Sequence, residues 1–168
     1  MYEVVQHHVK GLPPHQKNIP ELEYVHRSIA NYLKSLDYDV YHEKKAFKLA
    51  YTGYTIALRV DFLAFKGDEI LIAECKGYPF QKAKIFAAVL QLTLYMRLYR
   101  MLQIIPNPQL LLLQELDPQL IRRGKLRGVL AVPYLFPHDE KKRVFQKTYD
   151  SLKATNLLEP TIEIWDLQ

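Results

Sequence analysis

The sequence has one cysteine, Cys75, in 168 residues. A lone thiol excludes an intramolecular disulfide and any metal centre built from several cysteines, and it suits a reducing compartment. Long apolar runs are missing too. Each is broken well short of the roughly 18 residues that mark a membrane-span candidate. No secretory leader is visible either. An intracellular, cytoplasmic protein without a membrane partner is expected, inside a host cell if the chain is viral. The absence of internal repeats and low-complexity tracts excludes a repeat architecture.

What is present reads as a globular domain. The composition is 49% hydrophobic and 24% charged, with a formal charge of +5. That mild excess of cations agrees with a polyanionic partner without demanding one. The length suits one domain with a real core: a mixed arm over residues 1–19, then a single domain over 20–168. His7, His8 and His15 lie in the arm, where no spacing fixes them as metal ligands. Some of the 12 tyrosines could stack on bases near a basic cleft, although most suit packing.

Residues 59–95 organise the rest. Two strand-like runs flank a turn at Lys66, Gly67 and Asp68, and a loop at Gly77, Tyr78 and Pro79 leads into a long helix. The run from Ile70 to Cys75 is apolar on both faces, as in a central strand covered on both sides. Charges at its end must be paired, bound to metal or held at a cleft wall. Glu74 and Lys76 are two apart and share a strand face. The turn brings Asp61 level with Glu74. Two carboxylates and a lysine then converge, a set that suits Mg²⁺ or Mn²⁺ and a substrate phosphate. Lys76 is placed to stabilise developing negative charge or to orient a water.

Asp61, a gap of twelve residues, and then Glu74, Cys75 and Lys76 resemble the catalytic core of the PD-(D/E)XK nuclease superfamily. Gln91 and Tyr95 in the following helix resemble the Q-x-x-x-Y motif of its RecB-like branch, which includes CRISPR-adaptation exonucleases. Val60 stands where the family usually has proline. Similar triplets at Glu43, Asp139 and Glu140 lack the strand and helix context. The resemblance covers roughly residues 20–135. It implies a restriction-endonuclease-like fold and a metal-dependent DNA nuclease acting on single-stranded DNA or DNA ends. Asp61 and Glu74 would hold Mg²⁺ or Mn²⁺, with the backbone carbonyl of Cys75 as a third ligand and Lys76 serving the attacking water. Gln91 and Tyr95 would contact the nucleic acid. Many relatives of this branch carry four cysteines around an iron–sulfur cluster; with only Cys75, no such cluster is expected here.

The remaining chain fills in around this core. Pro20 is a good first-turn residue, with Glu21 and Glu23 near the positive helix end. Leu22, Val25, Ile29, Leu33 and Leu36 form a helical stripe. His26 lies on the same side as Leu22. It is either a core histidine or, by the resemblance, a metal ligand, a role that Glu21 or Glu23 could fill instead. A strand is expected over residues 40–49, with Glu43 as a possible contributor to the site. The loop at residues 51–54 turns into the Asp61 strand. The helix over 81–101 is apolar around most of its circumference, which predicts burial. Lys84, Gln91 and Tyr95 share one of its faces and suit a phosphate backbone. The greasy segment at residues 110–116 suits a core cap or a homodimer surface. Arg122, Arg123, Lys125 and Arg127 form a basic cluster suited to DNA backbone or to a solvated turn.

The expected class is α/β, a mixed central sheet flanked by helices in the order α-β-β-β-α-β-α-β. Two further functions fit the same residues: a structure-specific endonuclease of the Holliday-junction-resolvase kind, acting as a dimer, and a non-catalytic DNA-binding module on the same fold.

Overall fold

The apolar run ending at Cys75 becomes β6 (Glu69–Cys75), an inner strand buried on both faces after its first residue. In this computed structural model the chain is an α/β fold whose mixed six-stranded sheet is flanked by helices. The structure describes residues 4–14, 17–42, 47–51, 54–78, 81–104, 110–112, 123–134, 139–155 and 162–168.

The other strands of the sheet are β1 (Val4–His7), β2 (Asp39–His42), β5 (Phe62–Lys66), β8 (Lys125–Pro133) and β9 (Ile162–Leu167). Their order is β1-β9-β8-β6-β5-β2. β2, β5 and β6 form an antiparallel meander, whereas β8 runs parallel to β6, and β9 runs parallel to both β8 and β1. A smaller three-stranded sheet holds β4 (Tyr54–Leu58), β3 (Phe47–Tyr51) and β7 (Leu110–Leu112).

Period-two alternation divides the core. Ile70 and Ile72 pack with Ile85, Val89, Leu92 and Met96 of α2 (Lys82–Ile104). Tyr149 of α3 (Asp139–Ala154) joins that layer. Leu71, Ala73 and Cys75 face the other way, toward Val25 and toward Ile29 and Leu33 of α1 (Arg27–Ser35). Each fully buried Leu or Ile contributes about 1.5–3 kcal/mol. Among the described residues, no helix is long and apolar enough to cross a membrane.

Several expectations need correction. The arm contains β1, whose pairing with β9 extends the sheet. In place of one strand over residues 40–49 there are two, β2 and β3, in different sheets. A further strand, β4, paired with β3, stands between the turn expected at residues 51–54 and the Asp61 strand. Leu110, Leu111 and Leu112 are a strand with its backbone bonded to β3; the rest of the 110–116 segment lies outside the described residues. Helix α2 is not buried all round. Leu90, Leu94 and Met101 are 42%, 47% and 38% exposed, because only one side of this helix meets the sheet.

Candidate active site

The β5–β6 hairpin sets the geometry. Gly67 adopts φ +58° at its turn, a conformation that glycine takes without steric cost. The resulting register pairs Phe62 with Ala73, which brings Asp61, the residue before β5, level with Glu74. Asp61 Oδ2 accepts a 2.7 Å hydrogen bond from the Cys75 backbone N–H. The carboxylate is thereby anchored to the end of the strand that carries Glu74. Lys76 follows directly, its backbone N–H donating to the Ala131 carbonyl at 3.0 Å.

Backbone contact brings up the first helix. Ile19 and Tyr78 form an isolated antiparallel bridge beside Gly77. A Cβ on Gly77 would lie 2.6 Å from the Ile19 carbonyl oxygen and 2.9 Å from the Glu21 nitrogen. Only glycine allows that approach. Residues Glu21–His26 then form a π-helical turn that runs into α1. In an α-helix at about 100° per residue, residues five apart point about 140° away from each other. With i→i+5 bonding they fall on the same face. Glu21 and His26 are such a pair, with Glu21 Oε1 3.7 Å from His26 Nε2.

The same wide turn carries Leu22 off the buried stripe, so that it is 63% exposed. His26 is buried, as the stripe required, but no longer shares a side with Leu22, and Leu36 at the far end is 36% exposed.

His26 Nε2 also lies 3.6 Å from Asp61 Oδ2, and Lys76 Nζ lies 3.7 Å from Glu21 Oε1. These are ionic contacts, too long for good hydrogen bonds. The other ring nitrogen, His26 Nδ1, is 2.7 Å from His42 Nε2. Two atoms at the centre have no hydrogen-bond partner although they are fully buried: His26 Nε2 and Glu74 Oε1.

The electrostatics follow from this crowding. Burial, then the neighbouring Asp61 charge, push the Glu74 carboxyl up to about 8, against the pull of Lys76. Burial acts on Asp61 in the same direction. There His26, the Cys75 N–H and Lys76 prevail and hold it below the ordinary aspartate value. Burial alone would lower His26, but Asp61 and Glu21 outweigh it and raise the imidazole to about 9. For Glu21, burial is outweighed by His26 and Lys76, and its carboxyl is lowered. Without a cation, then, the site holds Glu74 protonated and His26 positively charged at neutral pH. His26, Asp61 and Cys75 each place a potential ligand atom within 4.8 Å of the others.

No family model, curated protein or solved structure matches the chain.

Asp61, Glu74 and Lys76 converge at one strand end, and His26, for which the sequence left a core and a ligand role open, lies beside them. Of the two first-turn acids, Glu21 reaches the site and Glu23 is exposed. Gln91 Nε2 donates to the Tyr95 hydroxyl at 2.5 Å, and that hydroxyl donates to the Arg59 carbonyl. The pair thus ties α2 to the chain just before Asp61. Tyr95 is buried and Gln91 half-buried, which leaves Gln91 the better placed to meet a substrate. Lys84 is exposed and joins none of the site's ion pairs. Glu43 lies outside the described residues.

Of the four cations expected near residues 122–127, Arg127 is forked onto Glu163 and also bonded to Glu69, Lys125 pairs with Asp68 at 3.2 Å, and Arg123 is exposed; Arg122 is outside the described residues. His42 was missed altogether. Its position depends on the β2–β5 register, which sets it opposite Phe62, and no local sequence signal encodes that pairing.

Proposed function

We propose that this protein is a metal-dependent nuclease that hydrolyses phosphodiester bonds in DNA, on a restriction-endonuclease-like core of the RecB-like kind. The observation that carries the reading is the convergence of Asp61, Glu74 and Lys76 at one strand end, with His26 and Glu21 brought against them by the first helix. The antiparallel meander of β2, β5 and β6, followed by α2 and the parallel strand β8, agrees with the order such a core requires.

The residues fit a divalent cation. Glu74 Oε1 and His26 Nε2 are buried without hydrogen-bond partners, His26 Nε2 having only its longer ionic contacts to Asp61 and Glu21. An unsatisfied buried polar atom costs about 1–3 kcal/mol, a cost that ligation would relieve. Asp61, Glu74 and His26 offer carboxylate oxygens and one imidazole nitrogen, donors that suit Mn²⁺ and, with waters completing the shell, Mg²⁺. The Cys75 thiol is a soft donor, whereas Mg²⁺ and Mn²⁺ favour oxygen ligands; by the family resemblance the Cys75 contribution would be its backbone carbonyl. When bound, the metal would polarise the scissile phosphodiester and lower the pKa of an attacking water.

The chain's own groups do the rest. Asp61 and Glu74 supply negative charge at fixed positions, Asp61 being anchored through the Cys75 N–H. The Lys76 ammonium, 18% exposed at its side chain and steadied by Glu21, faces the developing charge on the phosphate or orients the water. Gln91 meets the nucleic-acid strand, while Tyr95 and the Arg59 carbonyl hold it in place.

The test is cleavage of end-labelled single-stranded, duplex and four-way-junction DNA with Mg²⁺, Mn²⁺ or EDTA. Cutting should require metal. Lys76→Ala should slow it by about 10²–10⁴-fold. Asp61→Ala should abolish it while sparing or improving DNA binding, since a negative charge near phosphate is removed. Asp61→Ala cleaving like wild type would refute the site. Tight binding without cutting of any substrate would favour a DNA-binding module.

A further inference from the structure

We infer that His42 is a positioning residue of this site, one that aims the His26 imidazole so that Nε2 faces Asp61 and Glu21; the inference rests on the metal-site reading above. His26 Nδ1 and His42 Nε2 are 2.7 Å apart. The two rings stand at 74°, with centroids separated by 4.9 Å. That edge-on approach suits an in-plane hydrogen bond between ring nitrogens.

His42 is itself held in place. Its ring stacks on Phe62 at 4.7 Å and 16°, and the β2–β5 register sets the two residues opposite each other. Phe62 is fully buried and directly follows Asp61. One aromatic ring therefore fixes His42 from the strand whose start carries a carboxylate of the site. Phe62 also lies 5.4 Å from the His26 ring, so that His26 is bounded by Phe62, His42 and the two carboxylates.

The proton accounting defines the role of His42. An imidazole that gives the lone pair of Nε2 to a cation must keep its proton on Nδ1. Nδ1–H then donates to His42 Nε2, which accepts, and His42 carries its own proton on Nδ1. Partners of this kind fix the tautomer and ring orientation of ligating histidines, and losing them costs about 10–100-fold in metal affinity.

Mn²⁺ binding, measured by calorimetry on the whole chain without DNA, tests this directly. His42→Phe keeps a ring to stack on Phe62 and deletes the acceptor. It should weaken Mn²⁺ binding by about 10–100-fold while leaving the urea midpoint in EDTA close to wild type. His42→Gln, whose side-chain oxygen can accept from Nδ1–H, should recover most of the lost affinity. His42→Phe binding Mn²⁺ as tightly as wild type would overturn the proposal, and so would His42→Gln binding as weakly as His42→Phe. If His26→Ala weakens binding but neither His42 variant does, the metal site stands and the positioning role falls. Wild-type protein that binds no Mn²⁺ would remove the metal-site reading itself, and this proposal with it.

Discussion

The two ends of β6 carry similar charges and treat them differently. At its start, Glu69 meets Arg127 of β8 and the Tyr38 hydroxyl, and Arg127 grips Glu163 of β9 through two bonds of 2.7 and 2.8 Å. Trp165 Nε1 donates to the same Glu163 carboxylate at 3.1 Å. This is a closed network of short, charge-assisted bonds. At the other end, Asp61 and Glu21 face His26, and Glu21 faces Lys76, across 3.6–3.7 Å gaps, while the buried His26 Nε2 and Glu74 Oε1 lack hydrogen-bond partners. Close pairing marks the first cluster as part of the scaffold. Looser, incompletely satisfied pairing distinguishes the second, and the metal site proposed above would account for it.

Three experiments would break or sharpen that contrast. The largest stability effect is expected at the closed end. Arg127→Met keeps most of the aliphatic bulk, loses the fork and leaves two carboxylates facing each other. It should cost about 2 kcal/mol in urea unfolding and leave metal-dependent cleavage at the wild-type rate. A lost activity with unchanged stability would reverse the roles assigned to the two ends.

The next effect is a pH slope at the open end. In EDTA, folded Glu74 and His26, raised to about 8 and about 9, keep protons that the unfolded chain has released. Between about pH 6.5 and 8 the native state thus binds more protons than the unfolded state, and stability falls as pH rises. Each retained proton contributes up to about 1.4 kcal/mol per pH unit. Glu74→Gln removes one of them and should flatten the decline by about 1 kcal/mol per pH unit, read from urea midpoints across that window. An unchanged slope would place the Glu74 carboxyl in its ordinary range. Asp61 and Glu21, both lowered, act only at acid pH, where stability is lost as pH falls.

The smallest effect separates the two acids of the first turn. Glu23→Gln should move stability by less than about 0.5 kcal/mol and leave Mn²⁺ binding unchanged. Glu21→Gln should alter Mn²⁺ binding, because it removes a charge beside both His26 and Lys76. Equal behaviour of the two variants would mean that the π-helical turn does not direct Glu21 to the site.

The hairpin, the level placement of Asp61 and Glu74, and the shared face of Gln91 and Tyr95 were all legible in the sequence. Each depends on strand or helix period and on a local turn. The partition of the first helix was not, because a stripe counted at α-helical spacing misplaces Leu22 and hides the pairing of Glu21 with His26 in a π-helical turn. The small sheet of β3, β4 and β7 was also hidden: β3 and β7 are far apart in sequence, and their pairing is written in no local pattern.

By itself the sequence determined the α/β class, the buried central strand and the group of residues at its end, because alternation of burial is a property of neighbouring residues. Only the tertiary structure decided what each charge does. Arg127 is 36 positions from Glu163 and 58 from Glu69, and His26 is 16 from His42. Such partners are chosen by strand order and register, and those are set by how the whole chain buries its core.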